Sequence, residues 1–570
     1  MGSETGGTPG EANPPFGQLV ISTLYRLGVG HFIVSPGSRS TPLTLAVAGL
    51  PAGSHSVVLD ERSAAFEALG RIKATGQPVA VVCTSGSAGA HYYPAVIEAR
   101  ESSLPLVVLT ADRPPELRHC HAGQTIDQLK LFGTYPLFHA ELPLPETGTL
   151  LLRQVREICR CAVESALGSP SGPVHLNCPF REPFSPSEGT VPDLDPALLD
   201  GLSPVRPVQA EPDLVPRLPE RTLVLAGPRP GHDAPDELEA VLELGRRCGF
   251  PILADGCNPL RYRGDAAPVV VHYDRIARDD ALWEELRPQA VVLWGEPPTS
   301  KLLRQRLADL DLPGYLVSAG QRNLNPVHGF IAWAGSSMAR FLERCEGVPS
   351  AYGQEWLRAD ERMEATLISV LGRDHEFFEG DVHRFLSGTL PPGAPVFYAS
   401  SLAIRDAEWF MPKSSSGLRP YCQRGANGID GTLSLARGMA NALGEPAWLV
   451  TGDLAFLHDK NGLEGRFVDG AGLFVVLINN SGGGIFEFLP VAGQGEAFET
   501  FFATPQGVDI KQLVRAHGGT HAACSDLDGL GEALRSWNGS GLVVAELHVD
   551  RKLSKVLHRK HLVLDLTSEE

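Results

Sequence analysis

A glycine–aspartate pair after one apolar segment and an asparagine after the next could together bind a divalent cation. Gly452 and Asp453 end the segment AWLVTGD, and Asn480 follows 27 residues later in LINNSGGG. Mg²⁺ prefers oxygen ligands at about 2.1 Å, and Asp453, Asn480 and the carbonyl of Gly482 can supply three of them. The loop 481–484 has no bulky side chain, so its backbone can approach a diphosphate. Each motif alone is typical of a turn or loop, but their spacing across one strand–helix–strand unit favours a binding site.

Motifs of several other enzyme classes are missing from the sequence. We find no G-x-G-x-x-G after a strand, no G-x-x-x-x-G-K-[ST], no H-E-x-x-H and no G-x-S-x-G. Hydride transfer, NTP hydrolysis and serine-hydrolase chemistry therefore lose their strongest sequence support. Lys and Arg number 49 and Asp and Glu 67, which gives a formal net charge of −18. No long run of Lys or Arg offsets that charge, so neither nucleic acid nor an anionic membrane is expected as the main partner.

The candidate ligands need a scaffold, and the pattern of apolar runs predicts an α/β fold with three doubly wound parallel-sheet domains. Short β-branched runs alternate with segments of helical length, which is typical of parallel sheets covered on both faces. The runs form three groups of four or five: 31–37, 55–61, 78–86, 104–112 and 173–179; 222–228, 251–256, 290–296 and 315–320; 395–401, 447–453, 473–480 and 542–549. Ligands of such sheets bind beyond the carboxyl ends of the strands.

Two segments are expected to separate these domains. The segment 186–216 is dense in Pro, Asp and Ser and is predicted to be a linker, and a less distinct boundary falls near 350. Residues 1–15 are expected to form a flexible polar tail. The domains are therefore predicted at 16–185, 217–350 and 351–570.

The chain is expected to work in the cytoplasm. It has no apolar stretch of the roughly 18 to 20 residues that span a bilayer, and its N-terminus resembles no secretory signal. The ten cysteines show neither CxxC pairs nor the spacing of metal ligands. In a large chain without a signal, we predict buried free thiols rather than five disulfides.

Several motifs resemble those of thiamine-diphosphate-dependent enzymes. The GD…NN pair resembles the metal and diphosphate motif that is shared throughout this superfamily. Six segments are similar to the family of 2-succinyl-5-enolpyruvyl-6-hydroxy-3-cyclohexene-1-carboxylate synthases of the menaquinone pathway: VSPGSRSTPLTLA (34–46), DERSAAFEALG (60–70), TSGSAGAHYYPAVIEA (84–99), LTADRPPEL (109–117), RGANGIDG (424–431) and GDLAFLHDKNGL (452–463). The first and fifth are specific within the superfamily, and the resemblance runs from about residue 17 to about residue 555.

The resemblance implies pyrimidine-binding, central and diphosphate-binding domains, in that order. It implies thiamine diphosphate with Mg²⁺ or Mn²⁺ as cofactors, and Asp453, Asn480 and Gly482 as metal ligands. It also implies that Glu61 hydrogen-bonds N1′ of the aminopyrimidine, which promotes removal of the C2 proton of the thiazolium. Without the resemblance, Glu61 after Asp60 is an ordinary acidic helix start. In the family the two halves of the site come from different subunits, which implies a homodimer or homotetramer.

The resemblance also implies a transferase that acts on two dicarboxylates. Such a carboligase decarboxylates 2-oxoglutarate and adds the succinyl carbanion in 1,4 fashion to isochorismate. Guanidinium groups bind carboxylates bidentately. The motif match assigns these side chains: Arg405 and Arg424 to the succinyl-derived carboxylate, Ser38, Arg39, Ser401 and Lys301 to isochorismate, and Gln124 to the reacting carbons. Arg113 is open between a structural role and a role in the site.

Apolar residues complete the implied site. Ile429 corresponds to the wedge that bends the cofactor, and Ile485 and Phe486 are assigned to cofactor binding. His91 and His121 are also candidates for a chemical role, but they are expected to make only ordinary polar contacts.

Two positions depart from the family pattern. Gly123 stands before Gln124 where the family has Asn, and Leu302 stands where the family often has Arg after a Lys. The resemblance then leaves one expected carboxylate contact to isochorismate without its usual arginine, and whether Leu302 weakens isochorismate binding stays open. Arg304 or Arg306, within about a turn of Leu302, is the expected replacement.

Two alternatives to this carboligase stay open from the sequence. One is another thiamine-diphosphate-dependent decarboxylase or carboligase with a different 2-oxo acid; the arginines argue against small apolar acids such as pyruvate. The other is a catalytically silent relative that acts as a binding module. The presence of Glu61, Asp453 and Asn480 argues against it.

Overall fold

The computed structural model describes residues 10–185, 194–205, 215–229, 235–264, 267–310, 312–318, 324, 326, 330–334, 337–371 and 376–562. The chain divides into two compact units. Unit 1 consists of Met1–Val208, Arg437–Ala442 and Glu464–Arg466, and unit 2 of Gln209–Ala436, Leu443–Leu463 and Phe467–Glu570. Residues 1–9 of the expected tail and residues 186–193 and 206–214 of the expected linker lie outside the described residues.

Unit 1 contains one six-stranded parallel sheet in the order β2-β1-β3-β4-β6-β5. Its strands are β1 (His31–Val34), β2 (His55–Val57), β3 (Val79–Cys83), β4 (Leu106–Asp112), β5 (Phe138–Glu141) and β6 (Val174–Pro179). Its helices are α1 (Asn13–Arg26), α2 (Thr41–Ala48), α3 (Glu61–Thr75), α4 (Tyr93–Glu101) and α5 (Thr149–Ala166).

Unit 2 begins with a second six-stranded parallel sheet, in the order β10-β9-β8-β11-β12-β13, and a two-stranded pair, β7 with β14. The strands are β7 (Arg217–Leu218), β8 (Thr222–Ala226), β9 (Ile252–Ala254), β10 (Val269–Val270), β11 (Ala290–Trp294), β12 (Gly314–Ser318), β13 (Phe330–Ala334) and β14 (Glu346–Gly347). The helices are α6 (Pro235–Cys248), α7 (Tyr273–Arg278), α8 (Asp280–Glu285), α9 (Lys301–Ala308) and α10 (Met338–Arg344).

The third six-stranded sheet is also parallel and has the order β16-β15-β17-β18-β20-β19. Its strands are β15 (Pro395–Tyr398), β16 (Arg419–Cys422), β17 (Pro446–Gly452), β18 (Gly472–Asn479), β19 (Thr520–Cys524) and β20 (Gly541–His548). The helices of this part are α11 (Tyr352–Leu371), α12 (Glu379–Thr389), α13 (Leu402–Phe410), α14 (Thr432–Leu443), α15 (Asp453–His458), α16 (Glu496–Phe498), α17 (Ile510–Ala516), α18 (Leu527–Ser536) and α19 (Arg551–Leu562).

The first and third sheets have the same topology. When the strands of each sheet are numbered in chain order, both follow 2-1-3-4-6-5, whereas the second sheet follows 3-2-1-4-5-6. The predicted α/β class with doubly wound parallel sheets is confirmed. In such sheets ligands bind where the strand order reverses, which is between β1 and β3 in the first sheet and between β15 and β17 in the third.

The predicted strand count of four or five per sheet is too low. Each of the three large sheets has six strands within the described residues, and the predicted runs miss β5, β10, β13, β16 and β19, together with the short pair β7 and β14. All five missed strands of the large sheets lie at sheet edges.

The expected polar tail is shorter than predicted. α1 begins at Asn13, which is buried, and Asn13 Nδ2 donates to Arg181 O (2.7 Å) and Pro183 O (2.8 Å). Pro14 and Pro15 suit the first turn of a helix because that turn needs no N–H donor from them. Because this segment is rich in Gly and Pro, its composition did not indicate that a helix begins at Asn13.

The expected linker also contains core residues. Pro196–Leu199 form a 3₁₀ turn, and Leu198 and Leu199 are buried in the hydrophobic core of unit 1. Because the neighbouring residues are rich in Pro and Asp, the sequence did not indicate that these two leucines belong to the core. A turn of this kind can still contribute apolar burial.

All ten cysteines are free thiols, as predicted. Eight are buried, but Cys120 is exposed and Cys161 is half-buried, so the expectation of burial fails at these two positions. Among the helices that the structure describes, none has both the length and the apolar character that crossing a membrane requires.

Candidate active site

The Asp453 and Asn480 side chains lie at the carboxyl edge of the third sheet. β17 and β18 are neighbouring parallel strands, Asp453 is the first residue of α15 directly after β17, and Asn480 directly follows β18. The exposed fractions of the two residues are 4% and 7%. The strand–helix–strand arrangement expected from the sequence is therefore present, beside the point where the strand order reverses.

The loop after Asn480 brings backbone groups to Asp453. The Gly482 N–H donates to Asp453 Oδ2 over 2.8 Å. Gly482 has a φ of +130°, and a Cβ at this position would lie 2.1 Å from Ala503 O, so only glycine fits. The Gly482 carbonyl accepts a hydrogen bond from the Gly484 N–H over 2.9 Å, and it retains a second lone pair.

Asn480 has a buried oxygen that is unpaired within the described residues. Its Nδ2 donates to Glu379 Oε1 over 3.1 Å, whereas Oδ1 has no hydrogen-bond partner there. Burial raises the pKa of Asp453 to about 6, although backbone N–H groups hydrogen-bond its carboxylate. An unpaired buried oxygen costs free energy, and a hard divalent cation would satisfy carboxylate, amide and carbonyl oxygens together. The residues present therefore fit Mg²⁺ or Mn²⁺.

The raised pKa of Asp453 predicts how cation binding depends on pH. A carboxyl group must lose its proton before it ligates a cation, so Mg²⁺ affinity is expected to fall roughly tenfold for each pH unit below a pKa of about 6. Calorimetric titrations with Mg²⁺ in the presence of thiamine diphosphate at about pH 7.5, 6 and 5 measure this dependence. Equal affinity at all three pH values would contradict it.

Two cavities adjoin at this edge of the sheet. The smaller one has a volume of about 120 Å³ and contains the candidate cation ligands, and the larger one has about 740 Å³. Ser401 and Ile429 line the smaller cavity, and Leu402, Ile485 and Phe486 line both. The larger cavity has the size of a small-molecule site.

Cationic side chains line the larger cavity: Arg278, Lys301, Arg304, Arg405, Arg424 and Arg559. Burial and the positive charge of Arg424 lower the pKa of Arg304 and of Arg405. These three guanidinium groups therefore repel one another in a partly desolvated space. An anion bound among them would offset this repulsion.

The carboxyl groups on the cavity wall do not neutralise the three arginines. Asp274 pairs with Arg278 over 2.8 Å. Burial, together with the neighbouring Asp255, raises the pKa of Glu408 well above its usual range. Among the described residues, six cationic side chains line this cavity, against only two carboxyl groups, Asp274 and Glu408.

The structure distinguishes the two arginines that the sequence offers in place of an arginine at position 302. Arg304 lines the larger cavity beside Lys301 and Leu302. Arg306 instead pairs with Asp280. Arg304 is therefore the better candidate.

Ser401 has a backbone conformation that is rare for a residue other than glycine. Its φ is 79° and its ψ is −128°, directly before α13. Its carbonyl accepts a hydrogen bond from Arg405 Nη1, one turn later. Strain of this kind costs on the order of 1–3 kcal/mol and clusters at functional sites. Ser401 thus connects the wall of the smaller cavity with an arginine of the larger one.

In unit 1, Glu61 is the first residue of α3. Asp60 caps this helix, because its Oδ1 accepts from the Arg62 N–H over 2.8 Å. The helix start therefore does not depend on Glu61, which is half-buried. Burial raises the pKa of the Cys83 thiol and of the Tyr92 hydroxyl, and the negative charge of Glu61 adds to both shifts. The Glu61 carboxylate therefore interacts electrostatically with Cys83 at the end of β3 and with Tyr92 at the end of the 3₁₀ helix Gly86–Tyr92.

Comparison with known proteins agrees with this arrangement. Models of the N-terminal and C-terminal TPP binding domains of thiamine pyrophosphate enzymes match residues 15–131 and 418–546. The curated 2-succinyl-5-enolpyruvyl-6-hydroxy-3-cyclohexene-1-carboxylate synthase of Synechococcus elongatus is 41% identical over 97% of this chain and 96% of its own. The synthases of another Synechococcus species and of Microcystis aeruginosa are 42% and 40% identical, each over 95% of this chain and over 94% and 96% of their own.

The chain belongs to this synthase family. The resemblance inferred from its motifs is thereby confirmed, and its two matched domains are thiamine-diphosphate-binding domains.

In this member of the synthase family, Arg39 is held inside unit 1. Its Nη1 donates to Phe180 O over 2.8 Å and its Nη2 to Glu182 Oε1 over 3.3 Å. The residue is 5% exposed, and burial lowers the pKa of its guanidinium to about 10. Ser38, by contrast, is exposed. These contacts give Arg39 a structural role beside the one that the resemblance implies.

Gln124 and Arg113 of the synthase chain contact the same residue of unit 1. Gln124 Nε2 donates to Ser85 O over 3.0 Å, and Arg113 donates to Ser85 Oγ. Gln124 is exposed and has a φ of +54°. Gln128, which the sequence analysis missed, is buried, and its Oε1 accepts from the Gly86 N–H over 2.8 Å. Gln128 lies in a loop between β4 and β5 and its partner Gly86 is 42 residues away, so no local spacing in the sequence signals it.

Sequence reasoning also missed two acidic residues on the wall of the smaller cavity, Glu379 and Asp406. Burial raises the pKa of Glu379 to about 7. His558 Nε2 lies 2.9 Å from Asp406 Oδ1, and although burial opposes protonation, Asp406 raises the pKa of His558 to about 9. Glu379 precedes Asn480 by 101 residues, so no local spacing in this synthase sequence signals their contact. His91 and His121 are exposed.

Proposed function

We propose that this protein is a thiamine-diphosphate-dependent carboligase, a transferase that decarboxylates 2-oxoglutarate and adds the succinyl group in 1,4 fashion to isochorismate. The product is 2-succinyl-5-enolpyruvyl-6-hydroxy-3-cyclohexene-1-carboxylate, for menaquinone biosynthesis in the cytoplasm. Family membership over nearly the whole chain supports the proposal. The observation that carries it is the arginine-lined cavity beside Asp453 and Asn480, because both substrates are dicarboxylates.

Asp453, Asn480 and the Gly482 carbonyl are the proposed ligands of a Mg²⁺ or Mn²⁺ ion on the cofactor diphosphate. The unpaired Asn480 Oδ1 and the desolvated Asp453 carboxylate support this assignment. Thiamine diphosphate, when bound, supplies the carbanion chemistry. Ile429 and the 485–486 pair are proposed to pack against it and to exclude water.

Glu61 is proposed to hold a proton at N1′ of the aminopyrimidine. Asp60 caps α3, which leaves the Glu61 carboxyl for this task. We propose that Glu61 of one subunit and Asp453 of another serve the same cofactor, in a homodimer or homotetramer. The segments 16–185, 217–350 and 351–570 would then be the pyrimidine-binding, central and diphosphate-binding domains.

The cations of the larger cavity are proposed to bind the two substrates. Arg405 and Arg424 would hold the distal carboxylate of 2-oxoglutarate. A separate set of side chains would face isochorismate: Ser38, Arg39, Lys301, Arg304 and Ser401. Gln124 would assist near the reacting carbons. The mutual repulsion of Arg304, Arg405 and Arg424 supports anion binding, because a bound carboxylate relieves it.

One assay tests the proposed reaction. The protein is incubated with thiamine diphosphate, Mg²⁺, isochorismate and either 2-oxoglutarate or pyruvate, and the loss of isochorismate absorbance is followed. We expect loss with 2-oxoglutarate only. Turnover with pyruvate would favour a different 2-oxo acid, and cofactor binding by calorimetry without CO₂ release from any 2-oxo acid would favour a binding module.

Arg424→Ala is expected to raise the KM for 2-oxoglutarate by about 10- to 100-fold, because a charge-assisted hydrogen bond to a carboxylate contributes roughly 1.5 to 3 kcal/mol. Arg306→Ala is the matched control, since Arg306 is paired with Asp280 and is expected to leave the KM unchanged. Steady-state kinetics with each substrate varied in turn measure both variants. An effect of Arg424→Ala confined to isochorismate would place this arginine at the other substrate.

A further inference from the structure

One arginine outside the proposed ligand set contacts three segments around the candidate cation site. Arg551, the first residue of α19, donates from Nη1 to Ser481 O (2.8 Å), from Nε to Glu487 Oε1 (2.9 Å), and from Nη2 to both carboxylate oxygens of Glu499 (2.8 and 2.7 Å). Its side chain is only 10% exposed. Charge-assisted hydrogen bonds from a planar guanidinium are directional as well as strong. The guanidinium therefore fixes these three segments relative to one another.

The contact to Ser481 acts on the backbone that leads into Gly482. Ser481 has a φ of +57°, a conformation that needs support from its surroundings in a residue other than glycine. Gly482 has a φ of +130°, which glycine adopts without strain. Arg551 holds the carbonyl on one side of this turn, and Asp453 accepts the Gly482 N–H on the other. The Ser481–Gly482 peptide is thus restrained at both ends.

The contact to Glu499 acts on the segment that packs against the same turn. Glu499 begins a π-helical turn that ends at Ala503. Ala503 O accepts from the Gly483 N–H over 2.8 Å, and it also excludes any side chain at Gly482. By holding Glu499, Arg551 holds the surface on which the glycine loop rests.

The helix that carries Arg551 is also connected to Asn480, through Glu379. Asp550 Oδ1 accepts from the N–H groups of Lys552 and Leu553, both over 2.8 Å, and so fixes the start of α19. One turn further, Ser554 Oγ donates to Glu379, which accepts from Asn480 Nδ2. The same helix therefore braces two of the three proposed cation ligands.

We propose that Arg551 is a positioning residue that orders the 481–484 loop before the cation binds, so that Asn480 and Gly482 meet the metal and diphosphate in their bound arrangement. This inference rests on the proposed function. Removal of a group that holds a metal ligand in its orientation typically lowers the metal affinity by about 10- to 100-fold.

The test compares Arg551→Met and Arg551→Lys with Lys552→Met. Lys552 is a suitable control because it also faces Glu499, at 3.9 Å, but is 76% exposed. The readouts are the Kd of Mg²⁺ in the presence of thiamine diphosphate by calorimetry, hydrogen exchange of residues 481–503 without ligands, and kcat as a function of Mg²⁺ concentration.

For Arg551→Met we expect a Mg²⁺ Kd about 10- to 100-fold higher, faster exchange in 481–503, and a kcat that recovers at saturating Mg²⁺ with an unchanged KM for 2-oxoglutarate. For Arg551→Lys, the Mg²⁺ Kd and the exchange rate should lie between those of wild type and Arg551→Met, because an ammonium keeps the charge but not the planar fork. Lys552→Met should behave as wild type.

Wild-type Mg²⁺ affinity and unchanged exchange in Arg551→Met would overturn the positioning role alone. If Arg551→Met does not fold, as judged by circular dichroism, the same two outcomes are read from Arg551→Lys. If the wild-type protein itself does not bind thiamine diphosphate with Mg²⁺, the proposed function fails and the positioning role fails with it.

Discussion

Glu61→Gln is expected to lower kcat by about 100- to 10,000-fold, the range typical of a lost general acid–base group, while the protein folds normally. An amide cannot hold and return the proton that the proposed mechanism needs at N1′ of the aminopyrimidine. The fold should tolerate the change because Asp60, not Glu61, caps α3. Loss of the negative charge at the helix start costs only about 0.3–1 kcal/mol. CO₂ release and loss of isochorismate measure kcat, and calorimetry measures cofactor affinity.

Glu67→Gln is the matched control on the same helix. Glu67 is 2% exposed, and it accepts hydrogen bonds from Arg437 over 2.9 and 3.1 Å and pairs with Arg71. Breaking a buried ion pair is expected to lower the free energy of unfolding by about 3 kcal/mol, with kcat of the folded protein nearly unchanged. Near-normal turnover of Glu61→Gln would show that its assigned role is wrong. A fall in thermal stability as large as that of Glu67→Gln would show a structural role instead.

The strands that the sequence predicts are mainly those buried on both faces. β3, β4 and β18 are continuous apolar runs and are buried along almost their whole length, so composition alone identifies them. An edge strand has one neighbour and needs less apolar surface. β19 buries only Cys524, and β10 has only two residues. Neither leaves a periodic signal in the sequence.

Site residues could be predicted where a regular fold unit places residues at a fixed sequence separation next to each other in space. Asp453 and Asn480 are of this kind, because one crossover places two strand ends side by side. Glu379 and Arg551 contact the same loop through tertiary packing, 101 residues before Asn480 and 70 residues after Ser481. No local pattern records contacts at such separations.

Arg39 illustrates a further limit of motif matching. Its motif predicts a substrate contact, which stays a prediction, and gives no sign of the hydrogen bonds that Arg39 makes to Phe180 O and Glu182. A motif specifies which side chain is present at a strand end. Which of several acceptors its five donors reach depends on the segments packed around it.

Asp453→Asn is expected to weaken Mg²⁺ binding by more than about 100-fold, beyond the range for groups that only support a ligand, and to stabilise the ligand-free protein. The asparagine Oδ1 can still accept the Gly482 N–H that Asp453 Oδ2 accepts now, so the loop keeps its contact. The carboxylate charge that a divalent cation prefers is lost.

Asp453→Asn is expected to raise the free energy of unfolding of the ligand-free protein, because the folded protein raises the pKa of Asp453 from 3.8 to about 6. A carboxyl whose pKa is higher in the folded state favours folding at low pH, and this contribution is lost as the pH rises through that window. At neutral pH the ionised group therefore destabilises the ligand-free fold by about 3 kcal/mol, which asparagine removes.

Thermal unfolding with and without Mg²⁺ and thiamine diphosphate separates the two effects of Asp453→Asn. Without ligands the variant should melt above wild type, and with ligands below it, because only the wild type gains stability from cation binding. Asp509→Asn, a change at an exposed helix cap that accepts from the Gln512 N–H, should keep the wild-type response to ligands. A variant that is less stable without ligands yet binds Mg²⁺ normally would show that Asp453 supports the fold and not the cation. The Mg²⁺ affinity of Asp453→Asn should also depend less on pH near 6 than that of the wild type, since one titrating carboxyl group is gone while Glu379, with a pKa of about 7, remains.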